Sequence, residues 1–174
     1  RGVDLTDKDL TGTILRGADL SNSILTDVSL SGKDLTGAIL RGVDLTDKDL
    51  TGTILRGADL TDANLAGQDI SDHDLTDVIL TGADLSNSIL PDNGLSEKNF
   101  ERTIFNMVDL SGKDLTKTIF DCVSDFSYYY LEFVSAHCIN FVDTNLENAN
   151  LYDASFINTD LTKIKNKSLA GADL

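Results

Sequence analysis

Residues 1–20 read RGVDLTDKDLTGTILRGADL, and residues 41–60 repeat that stretch without a change. Within it Leu5, Leu10, Leu15 and Leu20 stand five apart, and the spacing carries on down the chain. Of the 24 residues reached in steps of five from Leu5 to Phe120, 20 are Leu and the others are Ile70, Phe100, Phe105 and Phe120. None is polar. A helix needs apolar residues at spacings of three and four, and a half-buried strand needs them at every second position. A strict period of five fits neither, and instead requires a chain that turns a corner every five residues. Around each central apolar residue the pattern runs small-Asp-Leu-Thr-Gly, as in Ala58-Asp59-Leu60-Thr61-Asp62. The last place is often Gly, Asp or Asn, the residue types that tolerate turn conformations.

These pentads resemble the A(D/N)LXX signature of the pentapeptide-repeat proteins, and the resemblance covers nearly the whole chain. It implies an all-β fold, a right-handed quadrilateral parallel β-helix (a solenoid) with four five-residue sides per coil. The central residue and the residue two before it would point inward. About 34 pentads then make about eight coils, a rod roughly 40 Å long at the usual strand spacing. No Pro- or Ser-rich linker interrupts it, so residues 1–174 are expected to be one domain, with register breaks near 121–125 and 162–168.

The chain has 174 residues with 14 basic and 29 acidic side chains, a formal net charge of -15. That balance excludes a nucleic-acid or anionic-membrane binder working through a basic surface, so no direct nucleic-acid binding is expected. No apolar run approaches the roughly 20 residues of a membrane span. Two cysteines, Cys122 and Cys138, are too few for a disulfide scaffold or an all-cysteine zinc site and favour a reducing, cytoplasmic setting. The chain begins at Arg1 and ends at Leu174 inside a repeat, which suggests a module of a larger bacterial protein, continued into flanking domains or associating end to end.

Two features of the repeat bear on its surface. The residue before the centre runs Asp4, Ile24, Asp44, Asn64, Asp84, Ile104 in steps of 20, and likewise Asp19, Ile39, Asp59, Ile79, Asn99, Ile119. If that position faces outward, Asp and Ile alternate between coils, which spaces like charges apart. Two before the centre, where a small inward side chain is expected, stand Lys8, Lys33, Lys48, His73, Lys98 and Lys113. An unpaired inward ammonium costs much desolvation, so a local rotation or bulge is expected to let these side chains snorkel to solvent over a neighbouring Ile.

All 11 aromatic residues lie between Phe100 and Phe156. After Phe120 the central series resumes one residue late, as Phe126, Leu131, Ala136, Phe141, Leu146, Leu151, Phe156 and Leu161, which predicts a single inserted residue. The segment FSYYYLEF follows, and the family register would turn Tyr128, Tyr130 and Phe133 outward. They form a candidate protein-binding patch, because aromatic side chains bring large contact area. A second slip, between Leu161 and Leu169, holds Lys163, Lys165 and Lys167 and reads as a surface loop.

Catalytic chemistry finds no support. The Asp residues are explained by the repeat, and a convex rod offers no cleft in which two carboxylates would have divergent environments. His137 and Cys138 are adjacent and would point to opposite sides of an extended segment. No phosphate-loop, dinucleotide or EF-hand spacing occurs, so no cofactor or metal is expected. The sequence therefore predicts a noncatalytic protein-interaction scaffold with Tyr128, Tyr130 and Phe133 at its partner site. The alternative, implied by the resemblance, is a DNA mimic that binds and inhibits a type II topoisomerase such as DNA gyrase. It would use acidic faces bearing Asp4, Asp44, Asp84, Asp19 and Asp59.

Overall fold

A computed structural model describes residues 1–120, 141–154, 156, 159 and 161–165. Among them the corner predicted every five residues is present as a backbone feature. Gly2, Asp7, Gly12, Gly17, Asn22 and Asp27 open a series of positive φ values that recurs every fifth residue through most of the described chain, for example 57° at Asp7 and 71° at Gly12. Each lies at the third place of a turn closed by a hydrogen bond from the fourth residue to the central one, as from Lys8 N–H to Leu5 O at 2.9 Å. One left-handed residue at that place is what a type II turn demands, and it explains the Gly, Asp and Asn at the end of the pentads.

Four such corners close one coil. Parallel bridges link residues 20 apart, among them Asp4 with Ile24, Asp19 with Ile39 and Asp44 with Asn64. Ladder bonds follow the same step, with Leu20 N–H donating to Ile39 O and Ile39 N–H to Ala18 O, both at 2.8 Å. We number the sides by their central residues: side 1 starts at Leu5, side 2 at Leu10, side 3 at Leu15 and side 4 at Leu20. Among the described residues the pairing consists of isolated bridges and no continuous strand. A side contributes only a few extended residues before the next corner takes the chain away, so a long ladder never forms. The one regular helical element there is a 3₁₀ turn, Leu161–Lys163.

The central residues fill the coil interior: Leu30, Leu35, Leu40, Leu45, Leu60 and Leu65 are fully buried. Small residues two before the centre, such as Ala38, Ala58 and Ala83, are buried beside them. Each fully buried Leu contributes about 1.5–3 kcal/mol of transfer free energy. Toward the later coils the Leu column gives way to a Phe column. Phe100, Phe105, Phe120 and Phe141 are buried, with Phe105 stacked on Phe141 at 5.6 Å and Phe120 on Phe156 at 4.9 Å between ring centroids.

Those stacks correct the register expected after Phe120. Asp109 bridges to Asn145 and Asp114 to Asn150, steps of 36 in place of 20. Side 1 therefore passes from Phe105 to Phe141 and side 4 from Phe120 to Phe156. Between Phe120 and Phe141 the sequence holds sixteen more residues than a pentad step requires, and not one. Among the described residues the stack passes from the coil of Phe105 and Phe120 to the coil of Phe141 and Phe156; Phe126, Leu131 and Ala136 lie outside the described residues.

Candidate interaction surface

The residue before each centre carries the surface chemistry, and the turn explains its type. Its side-chain oxygen accepts the backbone N–H two residues on: Thr6 N–H to Asp4 Oδ1 at 2.9 Å, Thr46 N–H to Asp44 Oδ1 at 3.0 Å, Ser86 N–H to Asp84 Oδ1 at 2.9 Å. Asn does the same, as Asn64 accepts from Ala66 N–H at 3.1 Å. Often a hydroxyl joins, as Thr46 Oγ1 does on Asp44 at 2.7 Å. These are Asx turns, in which a side chain satisfies a corner N–H that the ladder leaves free. The donors stabilise the charged form. Hydrogen bonds from Thr6 hold Asp4 below the usual carboxylate range, and Thr11, Thr51 and Ser71 do so for Asp9, Asp49 and Asp69.

The expected alternation is present: Asp and Ile face each other across the bridges Asp4–Ile24, Ile39–Asp59, Asp59–Ile79 and Asp84–Ile104. The Ile side chains point outward, with Ile14 85% exposed and Ile54 49%.

The acidic residues are not equivalent around the cross-section. On sides 3 and 4 arginines from the neighbouring coil take up the second carboxylate oxygen. Arg1 Nε reaches Asp19 Oδ2 at 2.5 Å, Arg41 Nε reaches Asp59 Oδ2 at 2.6 Å and Arg16 Nη1 reaches Asp34 Oδ2 at 3.1 Å. Ser21 and then Arg1 depress Asp19, and burial pushes Asp59 up but is outweighed by Thr61 and Arg41. Asp4, Asp44 and Asp84 on side 1 and Asp9, Asp49 and Asp69 on side 2 have no arginine in an ion pair. At the corner between those sides Asp7, Asp27 and Asp47 are exposed and follow one another coil by coil. The candidate acidic face thus reduces to sides 1 and 2, because Asp19 and Asp59 are already neutralised.

The cationic residues two before the centre correct a second expectation. No bulge carries them outward: Lys33, Lys48, His73 and Lys113 keep the ordinary turn bond from their own N–H. Instead, at Lys33, His73, Lys98 and Lys113 the side chain reaches the carbonyl of a central residue 23 positions earlier. Lys33 Nζ donates to Leu10 O at 2.8 Å, Lys98 Nζ to Leu75 O at 2.7 Å and Val78 O at 3.0 Å, and Lys113 Nζ to Leu90 O at 3.1 Å. His73 Nε2 lies 3.0 Å from Leu50 O, while its Nδ1 is buried without a partner. Thr53, Gln68 and Thr103 make the same contact. Except at Leu90, the turn N–H uses one lone pair of that carbonyl, and the second lone pair accepts the side chain, which offsets the desolvation that snorkelling would have avoided. Lys8, in the first coil, is exposed. Burial lowers the Lys98 ammonium from its ordinary value, opposed by Asp77 and Asp74. The neighbouring Ile14, Ile54, Ile79 and Ile119 are exposed. The signal was present in the sequence: Lys33, Thr53 and His73 succeed one another on side 3, and all three types carry a donor.

Tyr128, Tyr130 and Phe133 lie outside the described residues, as do Cys122, His137 and Cys138. No group of three or more His, Cys, Asp or Glu among the described residues is placed to hold a metal ion, and no helix there is long and apolar enough to cross a membrane. The shallow hollows along the rod follow the irregular corners at Ser71–Thr76 and Pro91–Gly94.

A stack of five-residue sides, cornered by left-handed turns and repeating every 20 residues, defines a pentapeptide solenoid. The chain belongs to the pentapeptide-repeat family: the sequence pattern of pentapeptide repeats matches in eight copies, over residues 1–32, 25–57, 34–67, 58–92 and 131–165. Among solved structures it is similar to HetL, a pentapeptide repeat protein involved in heterocyst differentiation regulation in the cyanobacterium Nostoc sp. strain PCC 7120. Identity is 23%, over 99% of this chain and 81% of that one, with a TM-score of 0.55. A trypsin-treated form of QnrB1, a plasmid-mediated fluoroquinolone resistance protein, matches at 14% identity over 100% of this chain and 92% of that one, with a TM-score of 0.43. Among curated protein sequences none matches.

Proposed function

We propose that this chain is a noncatalytic protein-interaction scaffold, a right-handed quadrilateral β-helix within a larger bacterial protein, whose partner site includes Tyr128, Tyr130 and Phe133. The observation that carries this reading is the sixteen-residue surplus between Phe120 and Phe141. The stack keeps its register and its Phe column on both sides of the surplus. The residues between hold FSYYYLEF, the densest aromatic stretch of the chain. Elsewhere along the rod the inward side chains fill the core or bond to its carbonyls, and the Asp side chains close turns, which leaves little free chemistry for catalysis.

A second reading has its own support. The unpaired acidic edge of sides 1 and 2 suits a DNA mimic that binds a type II topoisomerase such as DNA gyrase, with carboxylates in place of phosphates. The outward Ile residues dilute that edge, so it ranks second.

One experiment separates the two. Tyr128→Ala/Tyr130→Ala/Phe133→Ala and Asp4→Asn/Asp44→Asn/Asp84→Asn variants, each with the circular dichroism of the parent, are compared for the proteins they retain. They are also compared for inhibition of gyrase supercoiling across a salt series. The scaffold reading expects the aromatic variant alone to lose its partner. Salt-sensitive inhibition that only the Asp variant loses favours the mimic. If neither variant changes either readout, both surfaces are wrong.

A further inference from the structure

The corner at residues 91–94 departs from the others, and its chemistry points to a modification site. At the equivalent corners between sides 2 and 3, Gly52 and Gly112 hold the positive φ and the turn bond closes onto the central residue. After Leu90 the positive φ moves two places on, to Gly94 at 83°. Leu90 O accepts Lys113 Nζ, which also pairs with Asp92 Oδ1 at 2.9 Å.

The amide that precedes each side 3 centre is bonded at some coils and free at others: among the described residues Asp34, Asp74 and Asp114 N–H have no partner. On the same side, Ile54 N–H donates to Lys33 O and Asn150 N–H to Lys113 O, both at 2.9 Å. Gly94 stands at that register and its N–H has no hydrogen-bond partner. Asn93 before it is exposed, with an unbonded side chain, and Asn93–Gly94 is the one Asn–Gly bond in the chain.

We propose that Asn93 is a site of spontaneous deamidation in the folded protein. Gly94 N attacks Asn93 Cγ, forming a five-membered succinimide; the Cγ–Nδ2 bond breaks, and the amide proton leaves with Nδ2 as ammonia. Water then opens the imide at either carbonyl, giving aspartate or isoaspartate. Glycine favours the attack because it brings no side chain to the nucleophile and adopts conformations closed to other residues. The chain carries internal controls. Asn22–Ser23 and Asn87–Ser88 are also exposed at the Asn, but Ser23 N–H is held by Leu20 O and Ser88 N–H by Leu85 O, each at 3.0 Å. The product sets a second carboxylate beside the Asp92–Lys113 pair, and isoaspartate lengthens the corner main chain by one carbon.

The test incubates the folded chain at mildly alkaline pH, samples it over time and maps its peptides by mass spectrometry, with enzymatic carboxyl methylation as the isoaspartate probe. Residue 93 is expected to gain the mass of an amide-to-acid conversion an order of magnitude faster than Asn22 or Asn87, with isoaspartate present. Asn93→Gln should abolish the methylation, and circular dichroism verifies that the variant folds. The proposal falls if residue 93 stays an amide in the folded chain while the urea-unfolded chain converts. It falls equally if Asn93 reacts no faster than the two controls.

Discussion

Single side chains in this protein hold the corners, and each does so by answering a backbone group left over from the ladder. Outside, Asp and Asn accept the second corner N–H; inside, Lys, Thr, Gln and His donate to the turn carbonyl. Most corner glycines have open space where a Cβ would stand, but at Gly82, with φ at 72°, a Cβ would collide with Asp62 Oδ1, which pairs with Arg102 Nη1 across two coils at 3.2 Å. The inward donors make a prediction. At Lys98 two effects compete, since the buried charge opposes folding while its hydrogen bonds satisfy Leu75 O and Val78 O. Lys98→Gln removes the charge and keeps a donor, as Gln68 does naturally, and should leave stability unchanged or raised. Lys98→Leu removes both, and should destabilise by about 1–3 kcal/mol, the cost of leaving a buried acceptor unsatisfied. Urea unfolding of the two variants measures the difference; equal midpoints would mean that the contact carries no weight.

A pentad cannot bury its apolar residue alone, so stability at the scale of elements comes from stacking coil on coil. The Phe column is where this is most concentrated: Phe120 lies against Phe100, Phe105, Phe141 and Phe156, at centroid separations of 5.5, 6.1, 5.4 and 4.9 Å. It ties the coil before the sixteen-residue surplus to the coil after it. Phe120→Ala should destabilise by about 3–5 kcal/mol, and Phe120→Leu by distinctly less, since Leu fills the same column on side 4 at Leu20, Leu40, Leu60 and Leu80. Denaturant unfolding provides the measurement. A small loss for Phe120→Ala would indicate that the two parts are coupled weakly.

Across the whole molecule the balance is between many depressed carboxylates and a net charge of -15. Asp4, Asp9, Asp34, Asp49, Asp69 and Asp74 are held below their ordinary value chiefly by turn hydroxyl and N–H donors. The unfolded chain loses those donors, and its carboxylates titrate near the reference value of about 3.9. A depressed folded value means that the stabilisation is present above that pH and is lost as pH falls through the folded values. The urea midpoint should therefore hold from neutral pH down to about 5 and drop below about 4. Protonation also relieves repulsion among the acids, an effect of opposite sign. A midpoint that rises on acidification would show that repulsion outweighs the turn bonds.

The period of five, the apolar column and the turn-tolerant residues at the corners were legible in the sequence because each is a local rule applied at every repeat. They were enough for a pentapeptide-repeat coil with a corner every five residues, for the inward direction of the central residues, and for the alternation of Asp and Ile. The step from the coil of Phe105 to that of Phe141 was not legible, because the five-residue spacing runs on from Phe126 to Phe141 whatever the size of the coil; only the bridges of step 36 and the stacking of Phe105 on Phe141 and Phe120 on Phe156 reveal it. The inward lysines were likewise decided in three dimensions. Their partner is the spare lone pair of a carbonyl 23 residues away, which the succession of donor types on side 3 does not by itself locate. The acidic surface divides for the same reason: Asp19 and Asp59 differ from Asp4 and Asp44 only in the arginine that the neighbouring coil delivers. Sequence periodicity determined what each residue does within its own pentad, and coil-to-coil contact determined what it meets, since that contact joins residues a full turn of the solenoid apart.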